Sequence, residues 1–288
     1  MQEINGNTKI FGIVGNPVRH TMSPKIHNYL ATILGHNLIY LPFEVENELE
    51  AAIAGAYALG IEGLNVTVPY KNAVIEMLAE IDAFAAEVGA VNTLVRTEGG
   101  YKGYNTDVLG LQKELETEGI VLSGRNVVLL GAGGAARAVA FLCAMEGAAN
   151  IYILNRNHEK AMHLSRDVNA LYSGCAKACK YEEFMELPNS NYIAFQCTAV
   201  GLYPNVEDVI IKEEAFYEKL SYAVDLIYTP HTTKFMQLAA QAGAYAVGGT
   251  KMLLYQAVKA YELWSGEEIS DETINNLSMF LIAEGLLK

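Results

Sequence analysis

The run Gly131-Ala132-Gly133-Gly134-Ala135-Ala136 follows the uninterrupted apolar stretch Val127 to Leu130, which reads as a strand entering a helix through glycines. In a Gly-x-Gly-x-x-Ala pattern the first Gly permits the tight turn and the second lets the backbone approach a pyrophosphate. The small third residue lets helix and strand pack closely. The helix N-terminus then offers N–H donors and partial positive charge to that anion. The next apolar stretch, Ile151 to Leu154, ends in Asn155-Arg156-Asn157, with Lys160 close behind. An acid at such a strand end would hold a ribose 2′-OH. Here the strand end has no carboxylate, and a guanidinium fits phosphate oxygens as a bidentate fork. The pattern therefore favours NADP over NAD, against the plainer alternatives of a β–α turn and a solvated Arg.

A second group of residues places hydrogen-bonding side chains inside apolar runs. In Asn65-Val66-Thr67-Val68-Pro69-Tyr70-Lys71 the alternation of a strand puts Asn65 and Thr67 on one face, and Lys71 follows the proline in the loop. Asn92 is likewise polar within Gly89-Ala90-Val91-Asn92-Thr93, and Asn105-Thr106-Asp107 opens a helix that Asp107 could merely cap. In His20-Thr21-Met22-Ser23-Pro24-Lys25-Ile26-His27-Asn28, two hydroxyls stand at a helix start, a seat for a carboxylate. Ser23 is expected to cap that helix, with Pro24 at its first position.

These residues need elements to hold them, and the chain is long enough to supply them. Its 288 residues allow two domains, and a hydrophobic share of 51% with 18% charged residues is a globular balance rather than a disordered one. The formal net charge of -13 argues against a general nucleic-acid binder, which needs clustered Lys and Arg. Small anionic ligands stay possible, because they need only local positive charge. Cys143, Cys175, Cys179 and Cys197 lack the spacing of zinc or redox motifs and read as free thiols. No cluster of metal ligands stands out. The polar Met1 to Lys9 is no secretory signal, and no apolar run is long enough to cross a bilayer. The expectation is a soluble, cytoplasmic protein.

Short β-rich runs alternate with helical ones. Strands are expected over Ile10 to Val14, Asn37 to Val45, Gly63 to Val68, Tyr192 to Gln196 and Tyr222 to Ile227, and a hairpin over Val91 to Tyr104 about Gly99-Gly100. Helices are expected after Ser23, over Glu48 to Leu59, over Gly110 to Glu118, and between Leu154 and Tyr192. Such alternation implies α/β domains with parallel strands. A boundary is placed near residue 108, ahead of the nucleotide-binding unit, and the C-terminal helix after about residue 252 is free to pack on either half.

Together, the stretches His20 to Asn28, Asn65 to Lys71, Gly89 to Thr93, Asn105 to Asp107, Gly131 to Ala136, Asn155-Arg156 and Gly249 to Ala257 resemble the shikimate dehydrogenase family, in order and spacing, along most of the chain. The resemblance implies an N-terminal α/β substrate domain (1–108 plus 253–288), a Rossmann-like NADP-binding domain (109–252), and a cleft between them. It implies NADPH-dependent reduction of 3-dehydroshikimate to shikimate, a step of chorismate and aromatic amino-acid biosynthesis. Lys71 and Asp107 would form the catalytic pair. Thr21 and Ser23 would hold the substrate carboxylate with Tyr228 nearby, and Asn65, Thr67, Asn92, Asp107 and Gln256 the ring hydroxyls. Gly131, Ala132, Gly133, Gly134, Ala135, Asn155, Arg156, Asn157, Lys160, Thr198, Leu226 and Gly249 would contact NADP. The chain departs from the family's usual residues at Thr21 (often Ser), Asn157 (often Thr) and Gln196 (usually Asn). No metal, nucleic acid or membrane is implied, and a monomer and a homodimer are both compatible with the sequence. Two other readings stay open: a quinate/shikimate dehydrogenase using NAD or NADP, and a non-catalytic NADP-binding regulatory module.

Overall fold

The computed structural model describes residues 4–172, 174–188 and 191–285. The chain divides into two compact units, one of Met1–Gly110 with Leu254–Lys288 and the other of Leu111–Leu253. The chain passes from one to the other inside two helices, α4 (Thr106–Thr117) and α9 (Thr250–Ser265).

In the first unit, β1 (Lys9–Gly15), α1 (Ser23–Leu34), β2 (Leu38–Glu44), α2 (Leu49–Ala58), β3 (Gly63–Val66), β4 (Glu80–Ile81), α3 (Ala83–Val88), β5 (Thr93–Thr97) and β6 (Gly100–Tyr104) precede α4. The six strands form one mixed sheet in the order β2-β1-β3-β5-β6-β4. β1 runs parallel to β2 and β3, whereas β5 is antiparallel to both β3 and β6. Period-two alternation divides β1 between two cores. Phe11 and Ile13 pack with Ile26, Leu30, Val258 and Leu277 from the helices, and Val14 packs with Ile53, Leu64 and Val66 on the other side.

The C-terminal segment belongs to this unit, and it is two helices rather than the single one expected: α9 ends at Ser265, and α10 spans Asp271–Ala283. Gly266 at φ 73 follows α9, and Ser270 caps α10 by accepting the Thr273 N–H at 3.2 Å. Helix α1 also corrects an expectation. Met22 occupies the cap position without a side-chain bond, so Ser23 is the first helical residue.

Gly110 marks where α4 and α9 touch within this unit. A Cβ there would lie 2.6 Å from the Gln256 backbone nitrogen. Glycine inside a helix costs about 0.5–1 kcal/mol relative to alanine, so propensity alone would favour Ala. The backbone clash should outweigh that gain, since overpacking typically costs about 1–3 kcal/mol. Gly110→Ala is therefore expected to lower Tm by several degrees in a thermal scan. An unchanged or raised Tm would show that the two helices separate without cost.

The second unit contains the rest of α4, then β7 (Asn126–Leu130), α5 (Gly134–Met145), β8 (Asn150–Leu154), α6 (His158–Leu171), β9 (Ala176–Cys179), β10 (Tyr192–Gln196), α7 (Glu214–Tyr217), β11 (Leu220–Asp225), α8 (Lys234–Gln241) and β12 (Tyr245–Gly248), and it closes on the start of α9. All its strand pairs are parallel, in the order β12-β11-β10-β7-β8-β9. Counted from β7 as first, this is 3-2-1-4-5-6, the order of a doubly wound dinucleotide-binding sheet. Its central strand β7 is buried on both faces, as the continuous apolar run Val127 to Leu130 requires. β9, α7, α8 and β12 were not anticipated. The strands among them are four residues long, too short for a periodic signal. Among the described residues no helix is long and apolar enough to cross a membrane, and no group of three or more His, Cys, Asp or Glu is placed to hold a metal ion.

Candidate active site

In the first unit Lys71 Nζ lies 2.6 Å from Asp107 Oδ2, with both side chains partly accessible. The two residues are far apart in sequence, and the segment Ala90–Asn92 holds both. The Val91 N–H donates to Lys71 O at 2.8 Å. Asn105 Nδ2 donates to Ala90 O at 3.0 Å, and the Thr106 N–H donates to Asn92 Oδ1 at 2.7 Å. Asp107 is not the helix cap. Asn105 Oδ1 accepts the Val108 N–H at 3.2 Å and takes that role, which leaves the Asp107 carboxylate for Lys71.

Beside this pair runs a buried polar network. The Tyr40 hydroxyl donates to Asn65 Oδ1 at 2.7 Å, and Asn65 Nδ2 donates to Asn92 O at 3.2 Å and to Thr93 Oγ1 at 3.0 Å. Asn92 Oδ1 also accepts from the Thr93 and Thr106 hydroxyls. Both amide hydrogens of Asn65 are thereby committed within the protein, and its side chain also bonds the buried His27 imidazole. Asn92 Nδ2 makes no hydrogen bond among the described residues. Thr67 lies just past the end of β3 and is half-buried. Gln256 sits on α9 and is also half-buried.

At the start of α1 the Thr21 hydroxyl donates to Ser23 Oγ at 3.1 Å and accepts the Ser23 N–H at 3.3 Å. The Ser23 hydroxyl lies beside the Tyr40 phenol, which burial pushes well above its usual range. The added methyl of Thr21 thus leaves the paired hydroxyls intact. His27 stacks on Tyr40 with ring centroids 4.3 Å apart. Burial pushes its imidazole down to about 3, so it is neutral packing rather than an acid or base.

In the second unit Gly131 adopts φ 119, which strongly favours glycine. A Cβ there would also meet Thr198 Cγ2 at 2.8 Å. Ala132 is partly buried and Ala136 fully buried, whereas Gly133, Gly134 and Ala135 form an exposed tip. Nothing lies within 4 Å of a Cβ built at Gly133 or Gly134. The tip opens the 12-residue helix α5, whose first N–H groups have no partners within the helix. The loop therefore fits a pyrophosphate.

At the end of β8, Asn155 Nδ2 donates to Asn157 O at 2.8 Å. Asn157 Oδ1 caps α6 by accepting the Lys160 N–H at 3.1 Å, so part of its bonding capacity is structural. Arg156 and Lys160 are exposed, and no carboxylate among the described residues pairs with either. The residues present thus fit a dinucleotide with an anionic substituent on its adenosine ribose. Leu226 follows β11, and Tyr228 is 48% exposed. The Gly249 N–H donates to Ile227 O at 3.2 Å.

Each unit also matches a model of a known family. The family model described as shikimate dehydrogenase substrate binding domain matches residues 13–94, and that described as shikimate / quinate 5-dehydrogenase matches residues 113–225. The chain belongs to the shikimate dehydrogenase family. It is 43% identical over 267 residues to the shikimate dehydrogenase (NADP+) of Methanothermobacter thermautotrophicus, covering 92% of this chain and 94% of that protein. Among solved structures, shikimate 5-dehydrogenase from Listeria monocytogenes in complex with shikimate and NAD superimposes with a TM-score of 0.91 at 29% identity, covering 98% of this chain and 99% of that one. A shikimate dehydrogenase in complex with NADP+ gives 0.88 at 36% identity, covering 100% and 99%.

Within the shikimate dehydrogenase frame, sequence reasoning missed Tyr40, Thr93 and Thr106, which hold the two asparagines. It also missed Asp225 and Thr233 in the second unit. Asp225 is fully buried and accepts from the Thr233 hydroxyl at 2.6 Å and from the Ile227 N–H at 3.0 Å. Burial pushes its carboxyl up to about 6. The signal available was a carboxylate closing the apolar strand Leu220 to Asp225, where a charge needs a dedicated partner.

Proposed function

We propose that this chain catalyses the reversible NADPH-dependent reduction of 3-dehydroshikimate to shikimate, within the biosynthesis of chorismate and the aromatic amino acids. The observation that carries the reading is the Lys71–Asp107 contact at 2.6 Å, set beside the amides of Asn65 and Asn92 in a chain of the shikimate dehydrogenase family. Thr21 and Ser23 receive the carboxylate. Asn65, Thr67, Asn92, Asp107 and Gln256 hold ring hydroxyls. NADPH, when bound, supplies the hydride.

The residues of this chain do the rest. Gly131 to Ala135 offer backbone and helix-terminal N–H groups to the pyrophosphate, and Arg156 and Lys160 neutralise the 2′-phosphate, with Asn155 and Asn157 shaping their turn. Thr198, Leu226 and Gly249 border the other end of the cofactor. As the carbonyl carbon is reduced, its oxygen gains negative charge, and Lys71 Nζ donates the proton that completes the hydroxyl. In the opposite direction Lys71 Nζ would take that proton back, with NADP+, when bound, as the hydride acceptor. Asp107 holds the ammonium in place and accepts from a substrate hydroxyl, which is general acid–base catalysis with an oriented partner.

The test is a matrix of initial rates, with shikimate and quinate each paired with NADP and NAD. Shikimate with NADP is expected to give the highest kcat/KM. A larger value for quinate with NAD would replace this reading with a quinate dehydrogenase. No turnover in any cell would replace it with a non-catalytic NADP-binding module.

A further inference from the structure

One buried polar pair is left without a role by the chemistry above. Gln196 closes β10 and Asp225 closes β11, and they are 2% and 0% exposed. Gln196 Oε1 accepts the Thr198 N–H at 2.7 Å and the Thr198 hydroxyl at 2.8 Å. Its Nε2 donates to Thr198 O at 3.1 Å and to Val200 O at 3.0 Å, and reaches Asp225 Oδ1 at 3.5 Å. One amide thus closes the whole turn that leaves β10. Asp225 does the same for the turn that leaves β11, through Ile227 and Thr233. The two turns are also joined directly, because the Leu226 N–H donates to Gln196 O at 3.1 Å.

The position of this pair in the sheet assigns it a half of the cofactor. A sheet of this order receives one mononucleotide on each half, across the switch between its first and fourth strands. Here those strands are β7 and β10. Arg156 stands at the end of β8, so that half takes the adenosine with its 2′-phosphate. The half built from β10, β11 and β12 takes the nicotinamide ribose. Thr198 is packed against the Gly131 backbone, at the point where the two halves meet. A buried amide and a buried carboxylate are costly unless satisfied, and here both are spent on holding turns rather than on packing the core.

We propose that Gln196 and Asp225 are positioning residues for the nicotinamide half of the cofactor site, acting through the Thr198–Val200 and Leu226–Ile227 turns. The inference rests on the NADP-dependent reading above. The Gln196 side chain spans from the Thr198 amide to Asp225, and a side chain one methylene shorter would have to give up one end.

The experiment compares two probes on the full chain by equilibrium titration. NADP+ carries both halves, whereas adenosine 2′,5′-bisphosphate carries only the half assigned to Arg156. For Gln196→Ala, the NADP+ Kd is expected to rise about tenfold and kcat to fall by up to about a hundredfold, the scale of an ångström-level misplacement. Binding of adenosine 2′,5′-bisphosphate and of shikimate should stay within about twofold, a change of roughly 0.4 kcal/mol. Gln196→Asn and Asp225→Asn, which keep a polar group in place, should show the same split in smaller measure, and they carry the test if the alanine variant does not fold. Equal weakening of both probes would overturn the proposal and leave a purely structural pair. Unchanged NADP+ binding and turnover would overturn it as well. A parent protein that bound neither probe would overturn the NADP reading itself, and the inference with it.

Discussion

Lys71→Ala is expected to lower kcat by about 10²–10⁴-fold, the usual contribution of a positioned general acid–base group. Shikimate affinity should stay within about tenfold, or about 1.4 kcal/mol. The asymmetry follows from the geometry. The Lys71 ammonium pairs with Asp107 at 2.6 Å. The proposed carboxylate seat at Thr21 and Ser23 and the Asn65–Asn92 amides are built by contacts that do not involve its side chain. Removing the ammonium therefore takes away the proton and leaves most ground-state contacts. Asp107→Asn should also lose most of the rate, because the amide cannot supply the negative charge that holds Lys71. Steady-state rates, shikimate titrations and thermal scans on both variants separate these effects. Substantial residual turnover in Lys71→Ala would show that water or another group moves the proton. A large drop in Tm with parallel loss of binding would show that the pair is structural.

The second large effect concerns cofactor choice. Arg156→Ala is expected to weaken NADP about tenfold to hundredfold and NAD much less, since a hydrogen bond to a charged group contributes about 1.5–3 kcal/mol. Arg156 is exposed and has no carboxylate partner among the described residues, so its donors are available to a phosphate. Lys160 lies in the first turn of α6 and can share the charge, which places the loss toward the lower end. In the parent protein, raised salt should weaken NADP more than NAD, because an exposed Arg–phosphate contact is screened. The check is a titration of both cofactors against parent and variant at low and high salt. Equal weakening of the two would mean that Arg156 supports the turn or stacks on adenine. The structure that superimposes at 0.91 carries NAD, which gives this measurement real power to discriminate.

Much of the molecule was legible because the signals were local. The glycine loop, the strand before it and the helix after it lie within one short segment, where φ and close packing are set by neighbours in sequence. The hairpin about Gly99-Gly100 and the parallel strands β7, β8 and β10 were readable for the same reason. Element edges were less so. The sequence put the cap of α1 at Ser23 and offered Asp107 as the cap of α4, whereas Met22 and Asn105 hold those places. A cap is decided by which neighbouring donor a side chain reaches, and several residue types suit the position. The four-residue strands and the break between α9 and α10 carried too little periodicity to be seen.

The sequence by itself determined the family, through ordered motifs, and with it which residue types were set aside for chemistry. Only the tertiary structure decided how those residues are held. Lys71 and Asp107 meet because Ala90–Asn92 bonds to the backbone of one and to the helix that carries the other. Asn65 owes its orientation to Tyr40 and Thr93, which sequence distance hides. The C-terminal helices join the first unit because their apolar faces complete the core around Phe11 and Leu30. Gln196 looked like a small departure from the usual residue until its carbonyl and amide were seen to close the turn at the end of β10. The physical reason in the first three cases is that these contacts join segments distant in sequence. A motif reports the torsions and chemistry of neighbours along the chain, whereas a buried polar group is specified by partners that folding alone brings within hydrogen-bonding distance.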